Sequence, residues 1–151
     1  MPENPIFVFV PGAWHTADAF DVIRDLMHNR GHATEAISTP SVGAFSPDKG
    51  LHADIEHTHA VLKGMVDAGR QIVLVNHSYG GMVGAGAVEG LGYAQRCKAG
   101  LPGGILMVVW MAAFVTPKGK TLMDMLGGKN APWMVFNVSN LSSFVPPFVH
   151  N

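Results

Sequence analysis

The sequence holds a single cysteine, Cys97, which excludes an intrachain disulfide framework and any multi-cysteine zinc site. Charge is scarce as well. Only 14% of positions are Asp, Glu, Lys or Arg, against the ~25% usual in soluble domains, so much of the chain is expected to be interior. The net charge is −1 and no basic run occurs, which argues against nucleic acid, whose phosphates demand a positive surface. Long hydrophobic runs are lacking too. The longest, Ile105 to Val115, falls short of the ~20 residues needed to cross a bilayer, so no membrane partner is expected. Residues 1–5 carry no positive charge and lead into a short apolar run, so no targeting segment is visible and a cytoplasmic protein is expected. Hydrophobic residues make up 48% of the chain, which excludes disorder. A chain of 151 residues predicts one domain, burying roughly 70% of its unfolded surface.

Ile6-Phe7-Val8-Phe9-Val10 is apolar on both faces and ends at Pro11-Gly12, as a central parallel strand should. Phe20, Ile23, Met27 and Arg30 recur at helical spacing, and Gly31 stands where a helix stop belongs. A weaker strand is expected from about Ala33 to Thr39, followed by a Ser/Gly/Pro loop. Ser46-Pro47 predicts the next helix start, a capping hydroxyl before proline, with Leu51, Ile55, Leu62 and Val66 as its apolar stripe and Gly69 as its end. Gln71 to Asn76 is the second strong strand, and a small-residue helix is expected from Met82 to about Gly90. A Gly-rich connection leads to a last strand, Ile105 to about Met111, expected to be buried on both faces. This alternation predicts an α/β protein: a parallel sheet of about four strands flanked by helices. Residues 1–115 form that unit in this reading. Residues 116–151, with one short helix near Thr121–Leu126 and no charge beyond Lys129, form an irregular tail.

The chemistry concentrates in His77-Ser78-Tyr79-Gly80-Gly81, at the end of a buried strand. A serine on a sharp strand-to-helix turn exposes its Oγ, and the following N–H faces the same space, where it can meet developing negative charge. The turn is crowded, so small residues are needed two positions to either side. Gly80 meets that need, whereas Asn76 stands where the G-x-S-x-G pattern has glycine. Together with Val10-Pro11-Gly12-Ala13-Trp14-His15 and the Ala112-Ala113-Phe114 segment with Pro117 beyond, this elbow resembles the first half of an α/β-hydrolase. The likeness is to the small esterase branch of plant methylesterases, hydroxynitrile lyases and their fungal relatives, over about residues 5–134. It implies a partial α/β-hydrolase fold lacking its late strands, with residues after 115 as the start of the lid region. It also implies Ser78 as nucleophile of a carboxylic-ester hydrolase and Ala13 and Tyr79 as N–H donors of the oxyanion hole. The expected partner is a small-molecule ester, with neither metal nor organic cofactor.

A serine needs a base, and the base an orienting acid. In this family both follow the serine, acid first. Here only Glu89 and Asp124 follow as acids and only His150 as base. Glu89 lies along the helix leaving the elbow, Asp124 in the lid-like segment and His150 on the tail. The resemblance therefore implies a truncated chain that hydrolyses esters weakly or not at all. Its last strand would be an open edge inviting self-association. Other readings are a plain tight turn, a non-catalytic binding module pairing through that edge, and a lyase using the same pocket. A dinucleotide site is disfavoured, because Gly81, Gly84 and Gly86 lack the G-x-G-x-x-G register and are better read as helix-to-sheet packing. His52, His57 and His59 share one helix without the i, i+4 spacing of a metal pair, and His59 reads as a hydrogen-bonded core histidine. His15 could brace its loop or touch a substrate. Asn137 and Asn140 open glycosylation sequons of little weight here.

Overall fold

The computed structural model describes residues 4–44 and 49–129. Ser46-Pro47, His150, the two sequons and the tail beyond residue 129 lie outside the described residues. Four strands form one parallel sheet: β1 (Ile6–Val10), β2 (Thr34–Ala36), β3 (Gln71–His77) and β4 (Gly104–Met111), in the order β2-β1-β3-β4. The connections are α1 (Asp21–His28), entered through a 3-10 turn at Ala17–Phe20, then α2 (Leu51–Asp67), then α3 (Gly80–Ala87) with α4 (Tyr93–Lys98). A short α5 (Leu122–Met125) follows.

Strand alternation divides the apolar side chains between the two faces. Val8, Val10, Ile72 and Leu74 pack with Leu62 and Val66 of α2 and Val83 and Ala87 of α3 in the larger core. Phe9 and Val75 face the other way and pack with Phe20, and Met27 of α1 rests against them. That second core is thin. No residue of α1 is buried, and Ile23, expected on its apolar stripe, is exposed.

The sheet order carries functional information. β2 lies to one side of β1 and β3 to the other, so the chain reverses its direction of travel between β1 and β3. In open parallel sheets the loops that diverge at such a point leave a crevice at the carboxyl ends of the strands. Here those loops are 11–16 and the turn at Ser78.

Several expectations need correction. α2 begins at Leu51 with Gly50 as its cap residue, and α3 begins at Gly80 and ends at Ala87. α4 was not anticipated. β4 is not buried on both faces. Leu106, Met107, Trp110 and Met111 are exposed, because β3 is its only neighbour strand among the described residues. Leu106 is also the extra residue of a bulge opposite Ile72 and Val73, which takes it out of the pairing.

Candidate active site

Ser78 follows the last residue of β3 and takes a left-handed backbone, with φ 52°. A non-glycine residue pays for that conformation because its Cβ crowds the following carbonyl. Two further non-glycine residues share it, Trp14 (φ 65°) and Ala112 (φ 45°). All three sit just past the carboxyl ends of β1, β3 and β4, so the strained backbone of the described residues gathers on one rim of the sheet. Such clustering is common where a fold over-determines local geometry for a task.

The turn is held from inside. The Ser78 carbonyl accepts from Gly81 N at 3.0 Å and from Phe114 N at 3.0 Å, which ties the β4 loop to the bend. The small residues around it are sterically required. A Cβ on Gly80 would meet the Pro11 carbonyl at 2.7 Å, and one on Gly81 would meet Ala113 Cβ at 2.9 Å. Asn76, in place of the pattern's first glycine, is fully buried. Its amide group occupies the space that a Cβ on Gly84 would take, so the larger side chain is accommodated by a glycine one helical turn into α3. The Asn76 amide has no hydrogen-bond partner among the described residues. Gly86 serves a different contact from the sheet packing expected of it, because a Cβ there would meet Ile55 of α2 at 2.6 Å.

The two diverging loops touch. A Cβ on Gly12 would lie 3.1 Å from Ser78 Cβ and 3.1 Å from the His77 ring. Ser78, Tyr79 and Ala13 are half-buried, so the serine is not enclosed. Neither the Ala13 nor the Tyr79 N–H donates to an acceptor among the described residues. His15 braces its own loop, its Nδ1–H donating to the Ala13 carbonyl at 2.8 Å. His59 donates to the Ala87 carbonyl at 2.9 Å, as a core histidine joining α2 to α3.

Of the triad candidates that follow Ser78, the described residues include Glu89 and Asp124. Glu89 is exposed beyond the end of α3. The Asp124 carboxylate caps α5, accepting from Thr121 N at 2.7 Å and Thr121 Oγ1 at 2.9 Å, and those bonds hold its pKa below the usual carboxylate value. No group of three or more metal-ligating side chains occurs, and no helix is long and apolar enough to cross a membrane, both among the described residues.

One residue escaped the sequence reading. Asp54, in the first turn of α2, is fully buried. Its carboxylate accepts from Ser41 N (2.8 Å), Ser41 Oγ (2.6 Å) and the Tyr79 hydroxyl (2.7 Å). Burial first, and the bond to Asp54 second, push the Tyr79 phenol well above its ordinary value. The signal was in the spacing. Asp54, Thr58, Leu62 and Val66 recur every four residues and are all buried, so a carboxylate lay on the stripe that faces the core.

A doubly flanked parallel sheet with a strand–serine–helix elbow at its topological switch point defines an α/β protein of hydrolase type. The sequence profile of the Alpha/beta hydrolase family matches residues 7–150, and the chain belongs to that family. The match runs past residue 134 into the tail. The chain is 28% identical over 126 residues to the alpha/beta hydrolase nvfD of Aspergillus novofumigatus, covering 82% of this chain and 48% of that protein. It is 30% identical over 123 residues to a carbendazim hydrolyzing esterase of a Nocardioides species, covering 80% and 46%. It thus spans about half the length of the curated relatives it matches. Among solved structures, an extracellular alpha/beta-hydrolase from a Paenibacillus species superposes with a TM-score of 0.63 at 20% identity, covering 80% of this chain and 46% of that one. Tomato methylketone synthase I gives 0.61 at 19% identity, covering 83% and 46%.

Proposed function

We propose that this chain carries the nucleophile and oxyanion site of a serine hydrolase acting on small carboxylic esters. Ser78 Oγ attacks the ester carbonyl. The Ala13 and Tyr79 N–H groups receive the oxygen that gains negative charge, the alcohol leaves, and water then releases the acyl group from Ser78. The observation that carries the reading is the left-handed bend at Ser78, set against Gly12 at the switch point of the sheet. Two further facts support it. The two amides have no other acceptor among the described residues, and an esterase is among the relatives.

The chemistry is carbonyl addition with proton transfer and calls for no cofactor. It does call for a base and an orienting acid, and Asp124, the later of the two acids, is engaged in a helix cap. Turnover by this chain is therefore expected to be weak, within the ~10³–10⁴-fold over water that an oxyanion site and binding supply when a triad is incomplete. The test is labelling of the purified protein with a fluorophosphonate probe, followed by peptide mapping and nitrophenyl-ester turnover. Label on Ser78, with label and turnover both abolished by Ser78→Ala, is the expected result. Turnover unchanged by Ser78→Ala would sink the reading.

The exposure of β4 favours a second reading, a non-catalytic module whose open edge pairs with a second copy of the chain. It predicts a protein that dimerises and leaves the probe unreacted.

A further inference from the structure

We propose that Asp54 is a positioning residue of this site, clamping through one buried carboxylate both the residue that follows Ser78 and the loop that braces Ala13. The proposal rests on the serine-hydrolase reading for its consequence, though not for its geometry.

The carboxylate is completely buried, and its three hydrogen bonds among the described residues come from uncharged donors, Ser41 N, Ser41 Oγ and the Tyr79 hydroxyl. Taking a carboxylate out of water is costly, and hydrogen bonds from neutral donors offset only part of that cost. The rest of the stripe, Thr58, Leu62 and Val66, shows what packing against the sheet requires, and leucine at position 54 would meet that requirement more cheaply. What the carboxylate adds is direction. Its oxygens gather donors from two elements onto a third: Ser41 from the loop after β2, Tyr79 from the elbow, and α2 itself.

Both donors lead back to the candidate site. Tyr79 supplies the N–H proposed to meet the oxyanion, and fixing its hydroxyl 2.7 Å from Asp54 Oδ2 fixes the ring and the backbone that carries it. The loop holding Ser41 also holds Ser38, whose Oγ accepts from Ala17 N at 2.9 Å, just beyond the loop of Ala13. The segment after β2 is thus fastened to α2 at one end and to the chain after β1 at the other. Because the sheet is parallel, it lies on the same rim as the elbow. One loop braces the surroundings of both amides, and Asp54 anchors it.

The experiment uses the 151-residue chain with Asp54→Asn, Tyr79→Phe and the double variant. Four quantities are read: the rate of fluorophosphonate labelling, the split of residual ester turnover into kcat and KM, the thermal midpoint, and the NMR shift of the residue-79 amide. Each single variant is expected to slow labelling by about tenfold or more, since a displaced oxyanion donor acts chiefly on the transition state. The double variant should be no slower than the worse single, because the Tyr79–Asp54 bond is disturbed by either substitution and can be lost only once. Turnover should fall in kcat with little change in KM, and the residue-79 amide shift should move in both singles. Tyr79→Phe is nearly isosteric, so it keeps the test open if Asp54→Asn does not fold. A Tyr79→Phe protein with an unchanged amide shift and labelling rate, and only a lower thermal midpoint, would reduce Asp54 to a structural residue and overturn the proposal. If the parent chain takes no label, the hydrolase reading fails separately, and the amide shifts alone decide whether the clamp exists.

Discussion

At the scale of single residues, the elbow shows how one substitution is absorbed by another. Asn76 fits because position 84 has no side chain, and the two positions form one packing unit across β3 and α3. Gly84→Ala alone should destabilise the protein by about 1–3 kcal/mol, the usual cost of overpacking, although alanine is the better helix former. Asn76→Ala removes a buried amide without partners and opens the space that the new methyl group needs. The double variant should be more stable than the sum of the singles by at least ~1 kcal/mol, read from urea unfolding. Additive singles would mean that the two side chains do not share this space. From the sequence, Asn76 was visible as a departure from the pattern. Its compensation by Gly84 was not, because nothing along the chain says which glycine of Gly81, Gly84 and Gly86 faces the strand.

At the scale of elements, what was legible followed from periodicity and length. β1 and β3 were clear because Ile6–Val10 and Ile72–Val75 are unbroken apolar runs, long enough to cross a sheet. α4 was missed for the opposite reason. Tyr93–Lys98 has six residues and no apolar stripe, and its one buried residue is Arg96. That helix is held by polar contacts instead. Arg96 donates to the Pro102 carbonyl at 2.9 Å and to Asp67 Oδ1 at the end of α2 at 2.7 Å. The Asp67 carboxyl is held below its ordinary value, first by its bond to Lys63 and then by Arg96. A carboxylate with a lowered folded pKa contributes stability that is present above its unfolded pKa and disappears as pH falls through the folded value. The urea midpoint should therefore drop as pH falls from about 5 to about 3, the range in which the unfolded carboxylate, of ordinary pKa near 4, takes up its proton ahead of the folded one. Asp67→Asn should be less stable at neutral pH and show a smaller drop over that range. An identical pH profile for the variant would mean that neither the Lys63 nor the Arg96 contact contributes.

At the scale of the whole molecule, the strand count was legible and the exposure was not. An apolar run such as Ile105–Met111 predicts burial on both faces, yet the outer half of β4 is open. Burial is a property of neighbours, and the run itself is silent about whether they are present. By register Met107 and Val109 share the face of Val73 and Val75, where α1 reaches only as far as the thin second core. An open, apolar edge strand is a template for another strand. The parent chain should sediment with a concentration-dependent coefficient, and Met107→Lys, which places a charge on that edge, should shift it toward monomer without loss of helical and sheet signal. A parent chain that stays monomeric at every concentration would remove the module reading.

The bend at residue 78 has one more consequence. Its backbone lies where glycine would rest without strain, so Ser78 holds the fold in a shape that another residue would make easier to reach. On the serine-hydrolase reading proposed above, folding and chemistry pull this position in opposite directions. In a lineage that had stopped using the hydroxyl, drift toward glycine would be downhill, and the serine here stands on the uphill side.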